Sequence, residues 1–100
     1  MTNRKRPPER AEKITEFFQL LGDTLHFLRL KRGLSIRQLA DATHMSREVI
    51  SRLEKGVHRE VRTATLGKLC DFYDLTVREF FSFADEIQKA TAEEEQADKD

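Results

Sequence analysis

One hundred residues with 18 basic and 18 acidic side chains, and so no formal net charge, make a single domain with a modest core. The lone cysteine excludes an internal disulfide framework and fits a reducing compartment. No apolar run has the length of a membrane span, and the N-terminus lacks the apolar stretch of a signal peptide, so a cytoplasmic protein with no membrane partner is expected.

The charges are unevenly spread. Residues 1–10 hold Arg4, Lys5, Arg6 and Arg10 against Glu9, together with both prolines, and are expected to be a basic flexible arm. Ile14, Phe18, Leu21, Leu25 and Leu28 then recur at spacings of four and three, which predicts one apolar stripe on a helix from about Glu9 to Arg32. Gly33 stops it. Ser35-Ile36-Arg37-Gln38 is a capping box that opens a second helix, apolar at Leu39 and Ala40 and running to about Thr43. The turn His44-Met45 leads to Ser46, which can cap a third helix, and Gly56 can take the left-handed conformation past its end. On that helix Val49, Ile50 and Leu53 share one arc, while Arg47, Glu48, Ser51 and Arg52 occupy the other side. So short a helix must be held by its neighbours.

A loop reading VHREVRTA follows, and then a fourth helix containing Leu66, Leu69, Cys70 and Tyr73. Thr76-Val77-Arg78-Glu79 is a second capping box, and it opens a last helix with an apolar face of Val77, Phe80, Phe81, Ala84 and Ile87. Residues 89–100 have almost nothing to bury and are expected to be an acidic disordered tail, which leaves residues 11–88 as the folded unit. The fold class is all-α. Between residues 29 and 62, the nine basic side chains of Arg29, Lys31, Arg32, Arg37, Arg47, Arg52, Lys55, Arg59 and Arg62 face four acids. That local excess suggests a polyanion partner, with a solvated surface as the alternative.

Two short helices joined by a tight turn inside a basic segment form a helix-turn-helix. The run LGDTLHFLRLKRGLSIRQLADATHMSREVISRLEKG resembles the DNA-binding domain of the phage repressor and Cro family, the XRE-type helix-turn-helix, and the likeness covers about residues 21–80. It rests on Leu25, Leu28 and Arg29, on Gly33-Leu34-Ser35, on Leu39-Ala40, on the stretch from Ile50 to Gly56, and on Thr65-Leu66. The resemblance implies a five-helix repressor-like domain, here with an extended N-terminal helix and an extended C-terminal helix. Ile36 stands where the family usually has Gln, His44 where it usually has Gly, and Glu60-Val61 where a proline usually precedes the fourth helix.

By position in that family, Arg47, Glu48, Ser51 and Arg52 would read base edges in the DNA major groove, which admits one α-helix. Glu48 can accept from cytosine or, four residues before Arg52, orient that arginine. Ser46, Lys55, Arg59 and Arg62 surround the reading helix, and Arg37 lies in the first turn of the helix before it. All five are expected on phosphates, with Arg62 alternatively in the minor groove. Arg29 and Glu54 resemble family positions that pair internally, between the first helix and the end of the reading helix.

Cys70 shares a face with Leu66, Leu69 and Tyr73 and is expected to be buried packing. His26, His44 and His58 have no ligand spacing, so no metal is expected, and no pattern of nucleophile or paired acid and base suggests an enzyme or a cofactor. The expected function is sequence-specific binding of double-stranded DNA in transcription regulation. The alternative is an antitoxin-like or other protein-interaction module on the same fold, with a protein partner on the terminal helices. Ile14, Phe17 and Phe18 at one end, and Phe81, Phe83 and Ile87 at the other, exceed what a small core covers. The terminal helices therefore pack on each other or meet a second copy, and a homodimer is expected.

Overall fold

Pro8 has no backbone N–H to satisfy and a ring that presets helical φ, so it suits the first turn of a helix. In the computed structural model, which describes residues 8–57 and 60–99, the first helix starts there. The chain forms α1 (Pro8–Lys31), α2 (Ile36–Thr43), α3 (Arg47–Lys55), α4 (Thr63–Phe72) and α5 (Val77–Lys99). All regular structure among the described residues is helical, so the fold is all-α, and no helix is long and apolar enough to cross a membrane. The arm expected over residues 1–10 lies outside the described residues up to residue 7; from Pro8 the chain is already helix.

Starts and stops come from short-range hydrogen bonds. Both capping boxes form: Gln38 N donates to Ser35 Oγ at 3.0 Å and Ser35 N to Gln38 Oε1 at 2.9 Å, while Glu79 N and Thr76 N make the same exchange at 3.0 and 2.8 Å. Ser46 Oγ caps α3 by accepting from Glu48 N and Val49 N at 3.1 and 3.3 Å. Each of α1 to α4 ends on a left-handed residue: Gly33 (φ 67°), His44 (φ 58°), Gly56 (φ 76°) and Asp74 (φ 58°). The N–H after each reaches back to satisfy a last-turn carbonyl, Leu34 to Arg29, Met45 to Ala40, Val57 to Arg52 and Leu75 to Cys70, at 2.9–3.2 Å. His44 therefore takes the conformation for which the family usually uses glycine, at some steric cost.

α1 packs on α3 and α5, α2 packs on α3 and α4, and α4 packs on α5. The core is built from Leu21 and Leu25 of α1, Leu39 and Ala40 of α2, Ile50 and Leu53 of α3, Leu69, Cys70 and Tyr73 from α4 and its C-terminal cap, and Phe80 of α5. Phe18, Leu28, Val49, Leu66 and Phe81 pack against it half-buried, and Ile87 is half-buried on α5. Burial raises the Cys70 thiol pKa, which keeps that group in its neutral form. Val77 departs from the expected apolar face: it is 48% exposed, because it stands one residue after the Thr76 cap and lines an open groove against α4.

Two further differences concern the ends of the chain. The acidic stretch expected to be disordered continues as helix through Lys99; its Ala, Glu, Gln and Lys residues are strong helix formers, although residues 88–94 are exposed. The terminal aromatics meet within one chain, Phe17 stacking on Phe81 at 6.2 Å and Phe27 edge-on to Phe83 at 5.5 Å. The side chain of Ile14 lies outside the described residues.

A glycine makes the close crossing of α1 and α3 possible. A Cβ added to Gly22 of α1 would lie 2.5 Å from Leu53 O and 2.6 Å from Glu54 O, both backbone atoms of the last turn of α3. Gly22→Ala adds helix propensity of about 1 kcal/mol but forces two backbones apart. A net loss of roughly 1–3 kcal/mol is expected from that overpacking, measured as a lower urea midpoint. Stability unchanged or raised would show that α1 and α3 can separate freely at this crossing.

Candidate nucleic-acid interface

Helix α3 has two dissimilar sides. Ile50 and Leu53 are buried at 2% exposure, while Arg47, Glu48 and Arg52 are exposed and Ser51 is half-buried. The four expected readers thus share the outer side of one nine-residue helix, whose start is fixed by the Ser46 cap. Glu48 and Arg52 form no ion pair with each other, so the orienting contact that their spacing allows is not made, and both heads are left to solvent. Ser46 spends its lone pairs on the cap and keeps its O–H free to donate.

The flanking cations divide by their surroundings. Arg37 is exposed in the first turn of α2, Lys55 is exposed in the last turn of α3, and Arg62 is the exposed N-cap residue of α4, with no side-chain cap bond of its own. Neither α2 nor α4 has an acid in its first turn, so the partial positive charge at both N-termini is unopposed there. Arg59 lies outside the described residues. Arg29 and Arg32 are turned inward or sideways, so the basic excess counted along the sequence overstates the free positive charge. The Arg32 guanidinium sits over the rings of Phe72 and Tyr73, 5.8 and 5.5 Å from their centroids, and 3.9 Å from Asp74.

Arg29 joins α1 to the end of α3. Its Nε and Nη2 donate to Glu54 Oε2 and Oε1 at 2.8 and 3.0 Å, and Nη1 donates to Leu34 O at 2.8 Å. Both side chains are nearly buried, at 10% and 6% exposure. The hydrogen bond to Glu54 raises the Arg29 pKa, so the guanidinium stays charged. His26 Nδ1 lies 2.9 Å from the same Oε1. The C-terminal end of α3 is thereby fixed while its outer side stays open.

A family model described as a helix-turn-helix domain matches residues 20–80, more than half of the chain. The chain belongs to that helix-turn-helix family. Two solved structures of the clp gene regulator ClgR from Corynebacterium glutamicum resemble this helix-turn-helix protein. One is 27% identical with a TM-score of 0.67, covering 81% of this chain and 85% of that one. The other is 25% identical with a TM-score of 0.62, covering 84% and 96%. No curated protein matches the chain. No group of three or more metal-ligating side chains occurs among the described residues.

The helix-turn-helix also depends on residues that its sequence did not mark out. Gly22 is one, and the only signal for it was a glycine interrupting an otherwise helical pattern. His26 is another, since its link to Glu54 spans 28 positions. The Tyr73 hydroxyl is buried with no hydrogen-bond partner among the described residues, and burial pushes the phenol up to about 12.

Two measurements test this bracing. Arg29→Ala leaves the Glu54 carboxylate buried with only His26 beside it and should cost about 3 kcal/mol in chemical denaturation. An unchanged midpoint would reject the brace. Tyr73 ionises in the unfolded chain near 10 but in the folded chain near 12, so its contribution is complete below pH 10 and lost as pH rises toward 12. Tyr73→Phe should flatten that alkaline decline and leave stability at neutral pH equal or higher by about 1 kcal/mol, because an unpaired buried hydroxyl disappears. A clear loss at neutral pH would mean that the hydroxyl has a partner.

Proposed function

We propose that this protein is a sequence-specific, double-stranded DNA-binding regulator of transcription that seats α3 in the major groove. The observation that carries this reading is the outer side of α3, where Arg47, Glu48, Ser51 and Arg52 stand opposite a buried face and none of the four is held in an ion pair among the described residues. Arginine can donate two parallel bonds to guanine O6 and N7, and glutamate can accept from cytosine N4. Arg37, Ser46, Lys55, Arg59 and Arg62 supply phosphate contacts that set register without reading sequence. Both similar solved structures are of a gene regulator, which supports the regulatory role. One α3 helix covers few base pairs, so the active form is a homodimer on an inverted repeat with half-sites about 34 Å apart.

Selection of bound duplexes from a random library tests the reading, followed by titration across salt concentrations. With Arg37, Lys55, Arg59 and Arg62 on phosphates, each protomer should give a slope of roughly −3.6 in log K against log salt. Arg47→Ala or Arg52→Ala should cost about 1–3 kcal/mol on the selected site and relax specificity there, whereas Lys55→Ala or Arg62→Ala should weaken all sequences alike. Absence of duplex binding at low salt, for every selected sequence, would falsify the proposal. Equal losses on specific and random DNA from both kinds of variant would reject the assignment of the readers.

A further inference from the structure

A recess of about 590 Å³ opens between the end of α1, the turn after α4 and the first half of α5. It has the size of a small-molecule site and an apolar floor of Leu28, Tyr73, Leu75 and Phe83. Tyr73 is buried and the other three are half-buried, so part of that floor is in contact with water. No lining residue belongs to α2, α3 or the start of α4, and an occupant would touch none of the side chains assigned to DNA.

The two walls differ in sign. Lys31 and Arg32 stand on the α1 side, Glu79 and Glu86 on the α5 side, and no ion pair among the described residues joins one side to the other. Arg32 is already drawn to Phe72, Tyr73 and Asp74, and one Glu79 oxygen accepts from Thr76 N in the capping box. Lys31 and Glu86 are exposed, with no ion-pair partner among the described residues.

An occupant with one sign of charge would be attracted to one wall and repelled by the other. Complementarity requires an apolar middle, an anionic group at one end and a cationic group at the other. Packed helix axes lie about 8–10 Å apart, so the two charges must be separated by a similar span. A free amino acid carries its charges on neighbouring groups and reaches one wall only. Three residues of extended chain span about 10 Å and end in an ammonium and a carboxylate.

We propose that this recess binds short peptides with free termini and apolar side chains. The carboxylate meets Lys31 and Arg32, the ammonium meets Glu86, and the side chains cover Leu28, Leu75 and Phe83. The site is separate from the DNA-binding reading, and its test uses no DNA.

The probe is a tripeptide of leucine, phenylalanine and leucine, titrated into the full chain. Tyr73 is the only tyrosine and the chain has no tryptophan, so tyrosine emission reports on the floor of the recess alone. A saturable change in that emission, with one-to-one stoichiometry by calorimetry, is expected at micromolar to millimolar probe. Acetylating the probe's amine or amidating its carboxylate should each weaken binding several-fold. Glu86→Gln should weaken the free peptide to the same degree yet leave the acetylated one unaffected, and Lys31→Gln should pair in the same way with the amidated one. Both side chains are exposed, so the melting curves should not move, and Lys68→Gln, exposed in a different groove, should change no affinity. Neither heat nor an emission change at millimolar probe overturns the proposal. So does equal affinity for the doubly blocked peptide or for free phenylalanine, and so do variant losses that ignore which end is blocked.

Discussion

The rest of the structure depends on the clamp between α1 and the last turn of α3. A nine-residue helix is about 13 Å long and has too few internal hydrogen bonds to persist alone. Something must hold it without covering the side that faces outward. Here the hold is concentrated at one end, where Gly22 lets the α1 backbone reach the Leu53 and Glu54 carbonyls and Arg29 grips the Glu54 carboxylate with two parallel bonds. Arg29 also donates to Leu34 O, so the same side chain ties the turn that starts α2. One guanidinium and one missing methyl group thus join the shared apolar core in placing α1, α2 and α3.

That arrangement sorts the charges of a chain with no net charge. Two cations of the basic stretch are engaged within the fold: Arg29 by Glu54 in a nearly buried pair, and Arg32, still partly exposed, by two aromatic faces and the surface Asp74 carboxylate. Those left exposed on α2, α3 and the start of α4 are Arg37, Arg47, Arg52, Lys55 and Arg62. A long, weakly hydrated guanidinium can be satisfied by planar partners inside a fold or by base edges outside it, and only its neighbours decide which.

The long terminal helices solve a different problem. α1 and α5 extend beyond the small core, and their aromatics cover one another through Phe17 with Phe81 and Phe27 with Phe83. This accounts for part of the apolar surplus at the two ends; Phe17, Phe27 and Leu30 of α1 and Val77 of α5 stay about half exposed. The distal half of α5 is helical by propensity, since its exposed residues gain little from packing.

The sequence by itself determined what is local. Helix positions followed from apolar spacings of three and four, and starts from capping boxes that close within four residues. Stops followed at Gly33 and Gly56, and the two-sidedness of α3 was legible because side-chain direction repeats with the helical period. The resemblance to a known family supplied the Arg29–Glu54 pair, which spans 25 positions and has no local signature. Only the tertiary structure decided the Gly22 crossing, the diversion of Arg32 to Phe72 and Tyr73, the exposure of Val77, the orphaned Tyr73 hydroxyl and the pairing of α1 aromatics with those of α5. Each depends on the angle and distance at which helices far apart in the chain cross. No spacing within a single helix encodes that geometry, because it is set by the summed packing of all five.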